Sequence, residues 1–122
     1  MSWLQEELRM MHERQKASKI LEELIEYLIR NGANHIEMSL SFQPDYVKIH
    51  VEGDCPVKPA NFHELHDLLN APRRPELDGY YYELLGSSVR QGEMKLLGSL
   101  VDRAETEYEK GRLSITVYRS FN

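Results

Sequence analysis

The sequence predicts an α/β fold: a two-layer sandwich in which a mostly antiparallel sheet is covered on one face by helices. Three observations carry this expectation. A segment of helical periodicity ends on Asn31-Gly32 and runs straight into two alternating segments, residues 35–42 and 46–52, joined at Gln43-Pro44-Asp45. A second pair of alternating segments meets at Lys110-Gly111 near the other end of the chain. The remaining segments repeat their apolar residues every three or four positions. Each helix then has one face to bury, and each strand pair has one face to receive it.

The bulk properties fit one domain spanning residues 1–122. A chain of this length buries roughly two-thirds of its unfolded surface, so it needs neither metal nor disulfide to hold together. Hydrophobic residues make up 41% and charged residues 29%, ordinary for a soluble globular protein. The net charge of -5 repels nucleic-acid phosphates and anionic membranes. Arg73-Arg74 is the only adjacent basic pair, too little for a groove that tracks a phosphate backbone. The single Cys55 has no partner for an internal disulfide, which points to a reducing compartment. The first residues lack the basic head and apolar centre of a secretion signal, and no apolar run approaches the ~20 residues of a membrane helix. A cytoplasmic protein is expected, with no nucleic-acid or membrane partner.

Residues 3–15 are polar and helix-favouring, with Leu4, Leu8 and Met11 along one side and Ser2 as N-cap. Nothing between Gln15 and Ile20 breaks the pattern, so either one helix of nearly thirty residues or two with a bend is expected. Ala17, Ile20, Leu21, Leu24, Ile25 and Leu28 continue the buried stripe. Residues 1–19 read as a helical extension to a core of residues 20–119. The stripe of Leu4, Leu8 and Met11 is a candidate seam for a homodimer.

In the first strand pair Ile36, Met38, Leu40 and Phe42 alternate with Glu37, Ser39 and Ser41, which predicts one buried and one wet face. Val47, Ile49 and Val51 alternate with Tyr46, Lys48, His50 and Glu52. Asn61-Phe62-His63-Glu64 reads as a capped helix start, with Phe62, Leu65, Leu68 and Leu69 as its apolar side. A short helix is expected at 78–85, although Tyr80-Tyr81-Tyr82 also suits an extended run, and Gly86-Ser87-Ser88 reads as a loop. Helical spacing returns over 92–102 with Leu96, Leu97, Leu100 and Val101 on one face. Ala104, Thr106 and Tyr108, then Leu113, Ile115 and Val117, give the second hairpin its inward residues.

Several residues are candidates for chemistry. Glu22, Glu23 and Glu26 offer carboxylates for acid–base work, though the same pattern describes the solvated side of an amphipathic helix. His63 and His66 share a helix face and, with a third ligand such as Asp67, would clip a metal; the zinc-protease pattern needs a spacing of four instead of three. Cys55 is either a nucleophile or a small apolar filler. Arg73, Arg74, Tyr80, Tyr81 and Tyr82 combine the residue types favoured at protein interfaces.

The order helix, hairpin, helical insert, helix, hairpin resembles the GHKL ATPase domains of histidine kinases and anti-sigma-factor serine kinases. The run from Glu23 to Gly32 is similar to the family's first motif, a Glu followed four residues later by an Asn. The run from Val51 to Val57 stands where the family carries its Asp-x-Gly-x-Gly box, and Gly92 to Asp102 resembles its glycine box. The resemblance implies an ATP and Mg²⁺ site with Glu23 as base, but the motif residues depart from it. Tyr27 stands where the family's magnesium-binding Asn belongs, and a phenol is a poor neutral ligand for a hard cation. Gly53 stands at the adenine-binding Asp, with Asp54 one residue away. Cys55 and Val57 replace the two glycines of the box, and Met94 and Leu96 follow Gly92 where small residues usually cradle phosphate. The expected function is therefore a non-catalytic regulatory or protein-binding module with a degenerate nucleotide site. The alternatives are an active serine kinase or ATPase in which Asp54 reaches adenine, and a His63/His66 metal protein.

Overall fold

The computed structural model describes residues 3–83 and 96–121, the last four of the first span by backbone alone. It is an α/β two-layer arrangement built on one long helix and a four-stranded antiparallel sheet. The helix α1 (Trp3–Arg30) runs unbroken, since no Gly or Pro interrupts it. The expected boundary between extension and core falls inside it, and Glu13 and Ala17 are already buried. Helix α1 ends where Gly32 takes a φ of 92°, a left-handed conformation that glycine adopts without steric cost. There the Gly32 and Ala33 amides donate to the Ile29 and Leu28 carbonyls, both at 3.1 Å, the Schellman closure that stops a helix.

Strands β1 (Ile36–Phe42), β2 (Tyr46–Asp54), β3 (Arg103–Glu109) and β4 (Arg112–Ser120) lie in the order β1-β2-β4-β3. The two local hairpins are thus joined through the long-range pair of β2 with β4. Lys110 and Gly111 both have positive φ, 50° and 73°, in the two-residue turn whose twist suits a hairpin. Val47, Ile49 and Val51 of β2 and Leu113, Ile115 and Val117 of β4 are fully buried against the helical layer. Helix α2 (Phe62–Leu69) adds Phe62, Leu65 and Leu69 to that layer. Residues 96–99 are helical and pack so closely on α2 that a Cβ at Gly98 would run into the Leu68 carbonyl. The Asn70 side chain joins α2 to β3, donating to the Ala104 carbonyl at 3.0 Å and accepting the Ala104 amide at 2.9 Å.

Three expectations change. Strand β2 continues two residues past its expected end at Glu52, through Gly53 and Asp54. A 3₁₀ helix over Pro75–Glu83 replaces the helix expected at 78–85. The inward row of β1 is not buried throughout: Met38 and Leu40 remain 50% and 37% exposed. Helix α1 packs chiefly on β2, one strand in from the edge, and leaves the middle of β1 uncovered.

Candidate functional site

The C-terminal part of α1 presents Glu23 and Tyr27, one turn apart, to the sheet. Both are buried, at 2% and 5% exposure. Glu22 stays on the solvated side, and Glu26 pairs with Arg30 at 3.3 Å, so only Glu23 leaves the pattern of a solvated acidic face. The Tyr27 hydroxyl donates to Asn61 Oδ1 at 2.7 Å. That contact takes the Asn61 side chain, which makes no capping bond to α2 despite its N-cap position. Burial above all, and the adjacent Cys55, push the Tyr27 phenol up to about 12.

The segment after β2 is strapped down around Cys55. Its amide donates to the Gly111 carbonyl at 2.7 Å, and its own carbonyl accepts the Tyr108 hydroxyl at 2.8 Å. The thiol is 1% exposed and donates to the Val57 carbonyl at 3.1 Å. Burial pushes that thiol above its ordinary value, the opposite of what a nucleophile needs. Cys55 is a structural filler. Val57, by contrast, is 76% exposed and fills nothing.

Gly53 and Asp54 serve the turn between α1 and β1. A Cβ at Gly53 would meet the His35 carbonyl at 2.9 Å and the Ala33 Cβ at 3.3 Å. The Asp54 carboxylate accepts the Asn34 and His35 amides, both at 2.8 Å. The bond from the His35 amide, followed by that from Asn34, holds this carboxyl below the usual carboxylate range. Asp54 is therefore committed to its own backbone, pointing to the 31–35 turn. Gly92 and Met94 lie outside the described residues.

A second charged cluster went unrecognised in the sequence. Arg119 is fully buried and binds Glu13 through Nε at 2.8 Å and Nη2 at 3.2 Å. It also binds Asp78 at 2.8 Å and the Leu100 carbonyl at 2.7 Å. Lys16 and Arg73 approach Asp78, each at 3.5 Å. Burial raises the Asp78 carboxyl, but the Arg119 hydrogen bond and the surrounding cations outweigh it and leave the group below its ordinary value. The cluster ties α1, β4 and the 3₁₀ helix together. Its signal was phase: Arg119 follows Leu113, Ile115 and Val117 on the inward parity of β4, and Glu13 precedes Ala17 and Ile20 on the buried stripe of α1.

The expected partner surface is divided. Arg73 turns inward, donating to the Ser120 carbonyl at 2.8 Å and pairing with Asp102 at 3.4 Å, so it is not free for a partner. Arg74 is exposed and pairs with Glu76 at 2.9 Å. The side chains of Tyr80, Tyr81 and Tyr82 lie outside the described residues. His66 bonds to Thr106 Oγ1 at 2.8 Å across the α2–β3 contact, while His63 stands edge-on to Phe62. Among the described residues no three His, Cys, Asp or Glu side chains gather as a metal site, and no helix is long and apolar enough to cross a membrane.

In comparison with known proteins, the chain matches no family model, no curated protein and no solved structure.

Proposed function

We propose that this chain is a non-catalytic, kinase-like regulatory module that acts in the cytoplasm by binding protein, its GHKL-type nucleotide site having been lost. The observation that carries the reading is the Tyr27–Asn61 hydrogen bond. At the position where the resemblance calls for an amide ligand to magnesium, a buried phenol is bonded to a neighbouring side chain. The neighbouring positions support it. Gly53 offers no carboxylate to adenine, and Asp54 spends its carboxylate on two backbone amides.

Isothermal titration with ATP and Mg²⁺ tests the proposal. No saturable heat is expected at roughly 100 μM protein, because each 1.4 kcal/mol of lost contact weakens binding about tenfold. Low-micromolar binding overturns it in favour of the active-kinase reading, for which the burial of Glu23 is the favourable observation. That second reading requires phosphate transfer from ATP that disappears in Glu23→Ala.

A further inference from the structure

We propose that β1 is a homodimerisation edge: two copies of this chain pair β1 to β1, antiparallel about a two-fold axis at Ser39, into one continuous eight-stranded sheet. The proposal does not depend on the fate of the nucleotide site.

The open edge comes first. In the sheet order β1-β2-β4-β3, β1 has a neighbour on one side only among the described residues. The Gln43 amide donates to the Tyr46 carbonyl at 2.8 Å, which sets the phase of the β1–β2 ladder. Counting back by alternation along the register, Glu37, Ser39 and Ser41 bond to β2. The amides and carbonyls of Ile36, Met38, Leu40 and Phe42 therefore face outward. Exposed edges of soluble proteins are usually blunted by proline, lysine or a bulge. β1 has no proline, lysine or bulge, and its pairing with β2 is regular from Ile36 to Phe42. Its one charge, Glu37, lies on the face away from the helices and pairs with Arg112 at 3.7 Å.

The side chains point the same way. Residues paired across a ladder share a face, so Met38 and Leu40 lie on the helix side with their partners Val51 and Ile49. Those partners are fully buried, whereas Met38 and Leu40 are 50% and 37% exposed. Ile29, in the last turn of α1, is 52% exposed, with Ile25 half-buried one turn earlier. An apolar strip is thus left open along the trough between α1 and the edge.

A second copy fits this edge in one register. With Ser39 opposite Ser39, Met38 faces Leu40 and Ile36 faces Phe42 of the other copy, in both directions. Every outward amide and carbonyl of these four residues then finds a partner, and any shift of the dyad along the strand leaves some unpaired. Glu37 falls opposite Ser41, so no like charges meet. The helices also suit the pairing. With each α1 over its own β2, the two lie three strand spacings apart, about 14 Å. That exceeds the ~8–10 Å of direct helix contact by about the depth of the side chains available to fill it. Met38 and Leu40 from both copies occupy that space, flanked by Ile25 and Ile29.

Sedimentation and light scattering on the full chain, with two kinds of variant, test the proposal. The wild type is expected at twice the monomer mass at roughly 100 μM. Met38→Lys places a charge in the trough and should give a monomer with unchanged circular dichroism. Ser39→Cys reads the register directly. A non-hydrogen-bonded pair brings Cα atoms to about 4.5 Å, within disulfide range, so mild oxidation should cross-link it in high yield. Leu8→Cys on the exposed flank of α1 should not cross-link. A monomeric wild type overturns the proposal and leaves the edge to a strand from another protein. A dimer that survives Met38→Lys, or one trapped through Leu8→Cys and not Ser39→Cys, overturns it in favour of the α1 stripe. If Met38→Lys fails to fold, the cross-linking pair decides alone.

Discussion

The Tyr27 hydroxyl donates to Asn61 Oδ1 at 2.7 Å, and through that contact the long helix holds the start of α2. Because Asn61 is exposed, its oxygen regains water when the phenol is removed. Tyr27→Phe should cost only about 1 kcal/mol, the net value of one hydrogen bond. Tyr27→Ala also empties a buried ring site and should cost about 3–5 kcal/mol. Urea unfolding of the two variants measures the difference.

The same phenol makes stability sensitive to alkali. Its folded pKa is pushed up to about 12 from 10.0, so the folded protein keeps a proton that the unfolded chain gives up. The sign follows: this stability is fully present below pH 10 and is lost as pH rises from 10 toward 12. Denaturation midpoints measured over that range should fall more steeply in the wild type than in Tyr27→Phe.

Placing at Gly53 the carboxylate that the GHKL resemblance implies for adenine should fail. The added Cβ would meet the His35 carbonyl at 2.9 Å, and backbone cannot swing aside as a side-chain tip can. Gly53→Asp is expected to destabilise by about 1–3 kcal/mol and to show no ATP binding by titration. Recovered nucleotide affinity would mean that the 31–35 turn yields readily.

Arg119 and Glu13 form a buried ion pair at 2.8 Å. Without Glu13 the buried guanidinium keeps only the partly exposed Asp78 as counter-charge, and without Arg119 the Glu13 carboxylate keeps only Lys16 at 3.8 Å. Glu13→Ala and Arg119→Ala should each cost about 3–5 kcal/mol, whereas a double apolar replacement should recover much of it. Asp78 adds an acid dependence. Burial raises its carboxyl, but Arg119 more than offsets this and lowers it below 3.8, so its contribution is present above that pH and lost as pH falls further. Thermal melts between pH 5 and pH 2 should show a shallower decline in Asp78→Asn than in the wild type.

Cys55 should resist alkylation in the folded protein. Its thiol is 1% exposed and held in the protonated form by burial, so iodoacetamide at pH 8 should label it only after unfolding. Rapid native labelling would indicate that the loop after β2 opens, and Tyr108→Phe should accelerate labelling by removing the bond to the Cys55 carbonyl.

Much of the fold was legible because it is written in local pattern. Both hairpins followed from period-two alternation and their turn residues, and Lys110-Gly111 takes the positive φ pair expected of a tight turn. The Asn31-Gly32 stop ends α1 where helix-capping chemistry places it. The candidate site was less legible. Glu23 and Tyr27 were singled out by the resemblance and not by local pattern, and nothing local told that Asn61 would turn from capping its own helix to binding Tyr27. Arg73 looked like half of an exposed basic pair until the chain end brought the Ser120 carbonyl and Asp102 to it.

The sequence by itself determined the long helix, the two strand pairs, their turns and the apolar face each one had to bury, because these depend on neighbours within a few residues. The tertiary structure alone decided which of those faces found cover. Strand β1 has the same alternation as β2, yet β2 lies under α1 with Val47, Ile49 and Val51 fully buried, while β1 at the edge leaves Met38 and Leu40 in the open. Arg119 shows the converse, since a charged residue in an inward phase is tolerable only if opposite charges arrive from distant parts of the chain. Glu13 and Asp78 do arrive. Position in the sheet and convergence across the layers are long-range properties, and a period read along the chain carries no record of them.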